Sequence, residues 1–101
     1  MDNISTRHIV NEVVRIASNN PAIEEVILFG SRAENREHPT SDFDLCIKAD
    51  TQLDFYKAKL DIEDIATHFS FDIIFYSSLT DKVLLQIIDT KGVVLYERRR
   101  K

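Results

Sequence analysis

The sequence predicts an α/β (α+β) domain in which a mixed sheet of about four strands is flanked by helices. Three observations predict it. Apolar residues recur at helical spacing in separate stretches, short apolar runs bounded by turn residues stand between them, and the two kinds of segment alternate along the chain. That order packs helices against one sheet. The length, 101 residues, suits a single domain over 1–101 with a modest core.

The elements follow in order. Ile9, Val10, Val13, Val14 and Ala17 make one helical stripe, so a helix is expected from about Ser5 to Ser18. Asn19-Asn20-Pro21 stops it. Val26-Ile27-Leu28-Phe29 reads as a buried strand running into Gly30-Ser31, with a short helix expected from Ser31. Glu37 to Ser41 is a loop. Phe43, Leu45 and Ile47 then alternate with Asp42, Asp44 and Cys46, which is strand periodicity. Leu53 to Phe69 is expected to be helical, with Ile62, Ile65, Ala66 and Phe69 on one side. Phe71 to Tyr76 is a strand. Val83, Leu84, Ile87 and Ile88 mark a helix that Gly92 caps, and Val93 to Tyr96 is a last strand.

Composition excludes several classes. No apolar run approaches the length of a membrane span, and 30% of residues are charged. Met1-Asp2-Asn3-Ile4-Ser5 lacks the basic start and apolar stretch of a signal peptide, and a lone cysteine, Cys46, forms no internal disulfide. A cytoplasmic protein is expected. A net charge of -4 argues against direct nucleic-acid binding. Residues 97–101, ending Arg98-Arg99-Arg100-Lys101, are expected to form a solvated basic tail.

The chemistry gathers at a few acidic residues. Asp42 and Asp44, two apart on the expected strand, face one side, while Phe43 and Leu45 anchor the other. Paired carboxylates repel unless a cation compensates, and magnesium suits one or two carboxylates with substrate phosphates. Gly30 and Ser31, after a strand, offer the backbone freedom and the N–H groups of an anion site. Asp72, among Phe71, Ile73 and Ile74, either completes a three-carboxylate cluster or sits at an exposed strand start. Arg32 either contacts phosphate or acceptor, or makes a structural ion pair with Asp42 or Asp44. Cys46 reads as a small buried residue and His38 as solvated.

The strings Val26-Ile-Leu-Phe-Gly-Ser-Arg-Ala33 and Ser41-Asp42-Phe43-Asp44-Leu45 resemble the signature of the DNA polymerase β-like nucleotidyltransferases. Within that superfamily they resemble the minimal nucleotidyltransferase (MNT) group. Gly-Ser-Arg-Ala in that group is often followed by a charged residue and glycine, whereas Glu34-Asn35 stands here; asparagine tolerates left-handed backbone better than most residues. The resemblance implies that Gly30 and Ser31 hold NTP phosphates, that Asp42, Asp44 and Asp72 bind two Mg²⁺ ions, and that Asp72 helps deprotonate the acceptor. It also implies a partner, because MNT antitoxins commonly pair with an all-helical HEPN ribonuclease toxin and adenylylate its tyrosine with ATP. Two alternatives stand beside this expectation: a non-enzymatic module that masks its partner, and a small-molecule, aminoglycoside-type transferase. A homodimer is also open.

Overall fold

The computed structural model describes residues 4–99. Helix α1 (Ile4–Ser18) leads to β1 (Ile23–Phe29) and β2 (Phe43–Ala49), then α2 (Gln52–Glu63), β3 (Phe71–Phe75), a 3-10 turn (Tyr76–Ser78), α3 (Lys82–Lys91) and β4 (Val93–Glu97). The strands form one mixed sheet in the order β3-β2-β1-β4. β1 runs antiparallel to β2 and β4, while β2 and β3 are parallel. A parallel pair needs a crossover, and α2 supplies it.

Strand alternation divides the core in two. Val26, Leu28, Phe43, Leu45 and Ile47 face α1 and α2, meeting Ile9, Val13, Phe55 and Ile62. On the opposite face Ile27, Phe29 and Cys46 pack with Ile88 of α3. β2 is therefore covered on both sides at its centre. Asp44 belongs to the α3 face, on the same side of the strand as Cys46.

Caps set two helix starts. The Thr51 hydroxyl accepts from the Asp54 N–H at 3.0 Å and donates to its carboxylate at 2.6 Å. Asp81 accepts from the N–H groups of Val83 and Leu84 at 3.0 and 3.2 Å. Gly92 does follow α3, but with φ −70 and ψ 152 it is extended rather than left-handed. Its missing side chain matters for packing instead, since a Cβ there would strike the Ile88 carbonyl and Ile27.

Four expectations need correction. No helix follows Ser31: residues 31–35 make a turn closed by the Arg36 N–H on the Ser31 carbonyl at 2.8 Å, with Asn35 at φ 58. A left-handed residue with a six-to-one bond is the way helices end, so the chain stops after one turn. α2 ends at Glu63 rather than Phe69. The Ile65 N–H reaches only to the Ile62 carbonyl, at 3.1 Å, tightening the end, and Ile65 and Phe69 pack on the core from irregular chain. Asp42 lies one residue before β2. Finally, Glu97 belongs to β4, and Arg98 is held: its N–H donates to the Glu24 carbonyl at 2.7 Å and its Nη1 to Pro21 O and Asp50 Oδ2 at 2.9 Å. Strand pairing outcompetes solvation there; Arg100 and Lys101 lie outside the described residues. Among the described residues, no helix is long and apolar enough to cross a membrane.

Candidate active site

Asp44 and Asp72 are directly opposed across the parallel β2–β3 pair, and Asp44 also faces Phe29 at the end of β1. Opposed residues on neighbouring strands project to the same face. Phe43 and Phe71, opposed one step earlier, go to the other face and pack ring against ring at 5.7 Å, which locks the register that sets the two carboxylates side by side. Asp72 is exposed at the second position of β3, and Asp42 is exposed just ahead of β2. Asp72 thus stands near the exposed start of β3 and opposite Asp44 across the strand pair.

Electrostatics ties the three together. Partial burial pushes the Asp44 carboxyl above its ordinary value, and the negative charges of Asp72 and then Asp42 push it further. A carboxylate so placed favours either a proton or a cation. As they stand, no three His, Cys, Asp or Glu side chains among the described residues close to the span of one ion's ligands.

Gly30 ends β1 against this cluster. Its φ of +80 is a conformation that side chains rarely adopt, and a Cβ there would strike the Asp44 carboxylate. Only glycine lets the turn lie against Asp44. Ser31 follows, partly exposed; among the described residues, neither its N–H nor its hydroxyl is spent on a protein partner. Ala33 packs against the core. Asn35, where the MNT pattern often has glycine, adopts the left-handed backbone itself. The residues present fit a divalent cation with a phosphate ligand: hard oxygen donors, a charge excess on one face, and an N–H and hydroxyl free at a glycine-cleared turn.

Arg32 is not on this face. Its Nε and Nη2 donate to the Ser41 carbonyl at 3.0 and 2.9 Å, and its guanidinium lies over the rings of Phe43 at 4.2 Å and Phe69 at 4.9 Å. The ion pair with Asp42 or Asp44 is not made among the described residues; Arg32 bonds a backbone carbonyl instead. Cys46 is fully buried, and burial pushes its thiol up to about 12, which leaves it inert. His38 is exposed. A cleft of about 450 Å³ between α1 and the end of α2 is lined by Glu12, Arg15, Asp61 and Asp64; it lies on the other face of the sheet and brings no group to Asp44. Ser41 and Phe69 were missed as parts of the site's framework. Neither carries a signal of its own, since both act through Arg32.

Comparison with known proteins bears on the fold. Similar solved structures include a toxin–antitoxin complex with AMP-PNP (23% identity, 87% of this chain and 73% of that one, TM-score 0.69). The MntA–HepT toxin–antitoxin is another (20% identity, 90% and 72%, TM-score 0.64). A third is a chain assigned as a minimal nucleotidyltransferase (24% identity, 92% and 95%, TM-score 0.68). At these identities the likeness is one of fold. No curated protein matches. The family model for polymerase beta nucleotidyltransferases matches residues 11–101, nearly the whole chain, and the protein belongs to that family.

Proposed function

We propose that this protein is a Mg²⁺-dependent protein adenylyltransferase that moves AMP from ATP onto a tyrosine hydroxyl of a helical HEPN-type ribonuclease toxin, and so acts as its antitoxin. The observation that carries the reading is the direct opposition of Asp44 and Asp72 beside the Gly30 turn, on a chain of nucleotidyltransferase family. The similarity to toxin–antitoxin complexes, one of them with AMP-PNP, supports the choice of partner and of ATP.

Asp42, Asp44 and Asp72 would hold two Mg²⁺ ions, which when bound neutralise the entering and leaving oxygens of an in-line displacement. Gly30 lets the triphosphate approach the backbone, and Ser31 offers its N–H and hydroxyl to the outer phosphates. Asp72, exposed at the rim, takes the proton of the acceptor hydroxyl. The acceptor oxygen bonds to the α-phosphorus, the bond from that phosphorus to its bridging oxygen breaks, and pyrophosphate leaves with the electron pair. The protein's part is positioning and charge compensation, as phosphoryl chemistry requires. Two of the three carboxylates are exposed, so the site is accessible to a side chain presented by another protein.

A binding-only module would be favoured if Asn35, where the MNT pattern often has glycine, spoiled the turn after Gly30-Ser31. Asn35 adopts the left-handed backbone there itself, and a turn that keeps this shape favours the catalytic reading. The test is label transfer. Purified protein, Mg²⁺, α-labelled ATP and the product of its neighbouring gene should yield a labelled partner, and the paired substitutions Asp42→Asn and Asp44→Asn should abolish the label. No transfer, or label that persists in the double variant, would refute the proposal.

A further inference from the structure

We propose that Arg32 is a positioning residue of the site: by clasping the Ser41 carbonyl it fixes the backbone that presents Asp42. The inference rests on the transferase reading for what Asp42 holds, but not for how Asp42 is held.

Asp42 precedes β2 and takes no part in its ladders, which begin at Phe43 and Asp44. An exposed residue outside a ladder has little to define its place, yet a metal ligand must be held closely. Both neighbours of Asp42 are pinned. On one side, every polar group of Ser41 is engaged. Its N–H donates to His38 O at 3.0 Å, its hydroxyl accepts from the His38 N–H at 2.8 Å, and its carbonyl accepts from Arg32 at 3.0 and 2.9 Å. On the other side, the Phe43 N–H donates to Ser70 O at 2.9 Å. Arg32 touches both sides, because the guanidinium that grips Ser41 also lies over the Phe43 ring at 4.2 Å and the Phe69 ring at 4.9 Å.

The choice of arginine follows from this geometry. Two N–H groups in one planar fork converge on a single carbonyl while the plane of the group rests on aromatic rings. A lysine ammonium could keep the charge over the rings but not the fork. Arg32 stands two residues after Gly30, so the same side chain couples the phosphate turn to the first carboxylate from the α1–α2 face of the sheet, away from Asp44 and Asp72.

The test has two readouts on the full chain, for Arg32→Met and Arg32→Lys, with Arg98→Met as a remote control. In the metal-free protein, amide exchange at Ser41 and Phe43 should quicken by roughly tenfold or more in both Arg32 variants, as expected for losing hydrogen bonds from a charged donor, and stay unchanged in the control. Mn²⁺ binding in the presence of AMP-PNP should weaken by about tenfold or more, the usual cost of removing a support behind a metal ligand. In an Asp42→Asn background, Arg32→Met should cost nothing further, since the two act on one ligand. Unaltered exchange at 41 and 43 in both Arg32 variants would overturn the inference. So would losses of Mn²⁺ affinity that multiply with that of Asp42→Asn. If the parent chain binds no Mn²⁺ with AMP-PNP, the transferase reading falls, and the exchange rates alone decide whether Arg32 holds Asp42.

Discussion

A partly buried carboxylate between two others is a poor arrangement for a protein by itself. Asp44 carries that burden: desolvation first, and the charges of Asp72 and Asp42 after it, raise its proton affinity above that of a free aspartate. A raised folded-state pKa means that the folded state binds the proton more tightly than the unfolded state. The stability it contributes is complete below the ordinary value of 3.8 and is lost as pH rises through the elevated one. Asp44→Asn should therefore raise the stability of the metal-free protein at neutral pH, and the gain should shrink toward nothing below that ordinary value. Denaturant melts of both proteins across this range, without divalent cation, read the effect directly. A variant no more stable than its parent at pH 7 would mean that the three carboxylates do not share a field. The Asp-x-Asp spacing was legible in the sequence, but Asp42 lies just ahead of β2, where strand periodicity no longer decides its side. The pairing of Asp72 with Asp44 was not legible, because register is set across strands, by pairs such as Phe43 with Phe71.

Among the elements, the turn after β1 shows where reading by pattern succeeds and where it stops. Gly30-Ser31 after an apolar run marked a strand-to-turn junction, and the chain makes one, yet the helix expected beyond it closes after a single turn. The stop is Asn35 at φ 58, with the Arg36 N–H on Ser31 O. A left-handed backbone costs an ordinary L-residue about 1–2 kcal/mol, and asparagine and glycine escape most of it. Asn35→Gly should leave stability within about 0.5 kcal/mol, whereas Asn35→Ala should cost about 1 kcal/mol; thermal melts at fixed pH would separate them. Equal losses in both would show that the Asn35 side chain, rather than its backbone angle, holds the turn. The starts of α2 and α3 carry readable signals, in Thr51-x-x-Asp54 and Asp81. The end of α2 had none. Ile65 and Phe69 continue an apolar spacing and are indeed inward-facing, but they cover the core from irregular chain, which periodicity cannot distinguish from a longer helix.

Across the whole molecule, two faces of one sheet have separate tasks. The face toward α1 and α2 is core, and it holds the Arg32 clasp that steadies the Asp42 backbone. The face toward α3 carries Asp44 and Asp72 beyond the apolar patch of Ile27, Phe29, Cys46 and Ile88. The rigid centre of β2, buried on both sides, thus delivers its acidic end to the surface. Fold class was legible from alternation alone, since it depends on local patterns repeated along the chain. The side of the sheet on which Arg32 works was not, because it depends on how a turn folds over a strand edge. The claim on which all of this depends is that Asp42, Asp44 and Asp72 together bind a divalent cation that brings the nucleotide with it. Calorimetric titration of AMP-PNP into the purified protein tests it most directly. Binding should require Mg²⁺, and Asp44→Asn and Asp72→Asn should each weaken it by about tenfold or more. Binding that is indifferent to Mg²⁺, or equally tight in both variants, would contradict it.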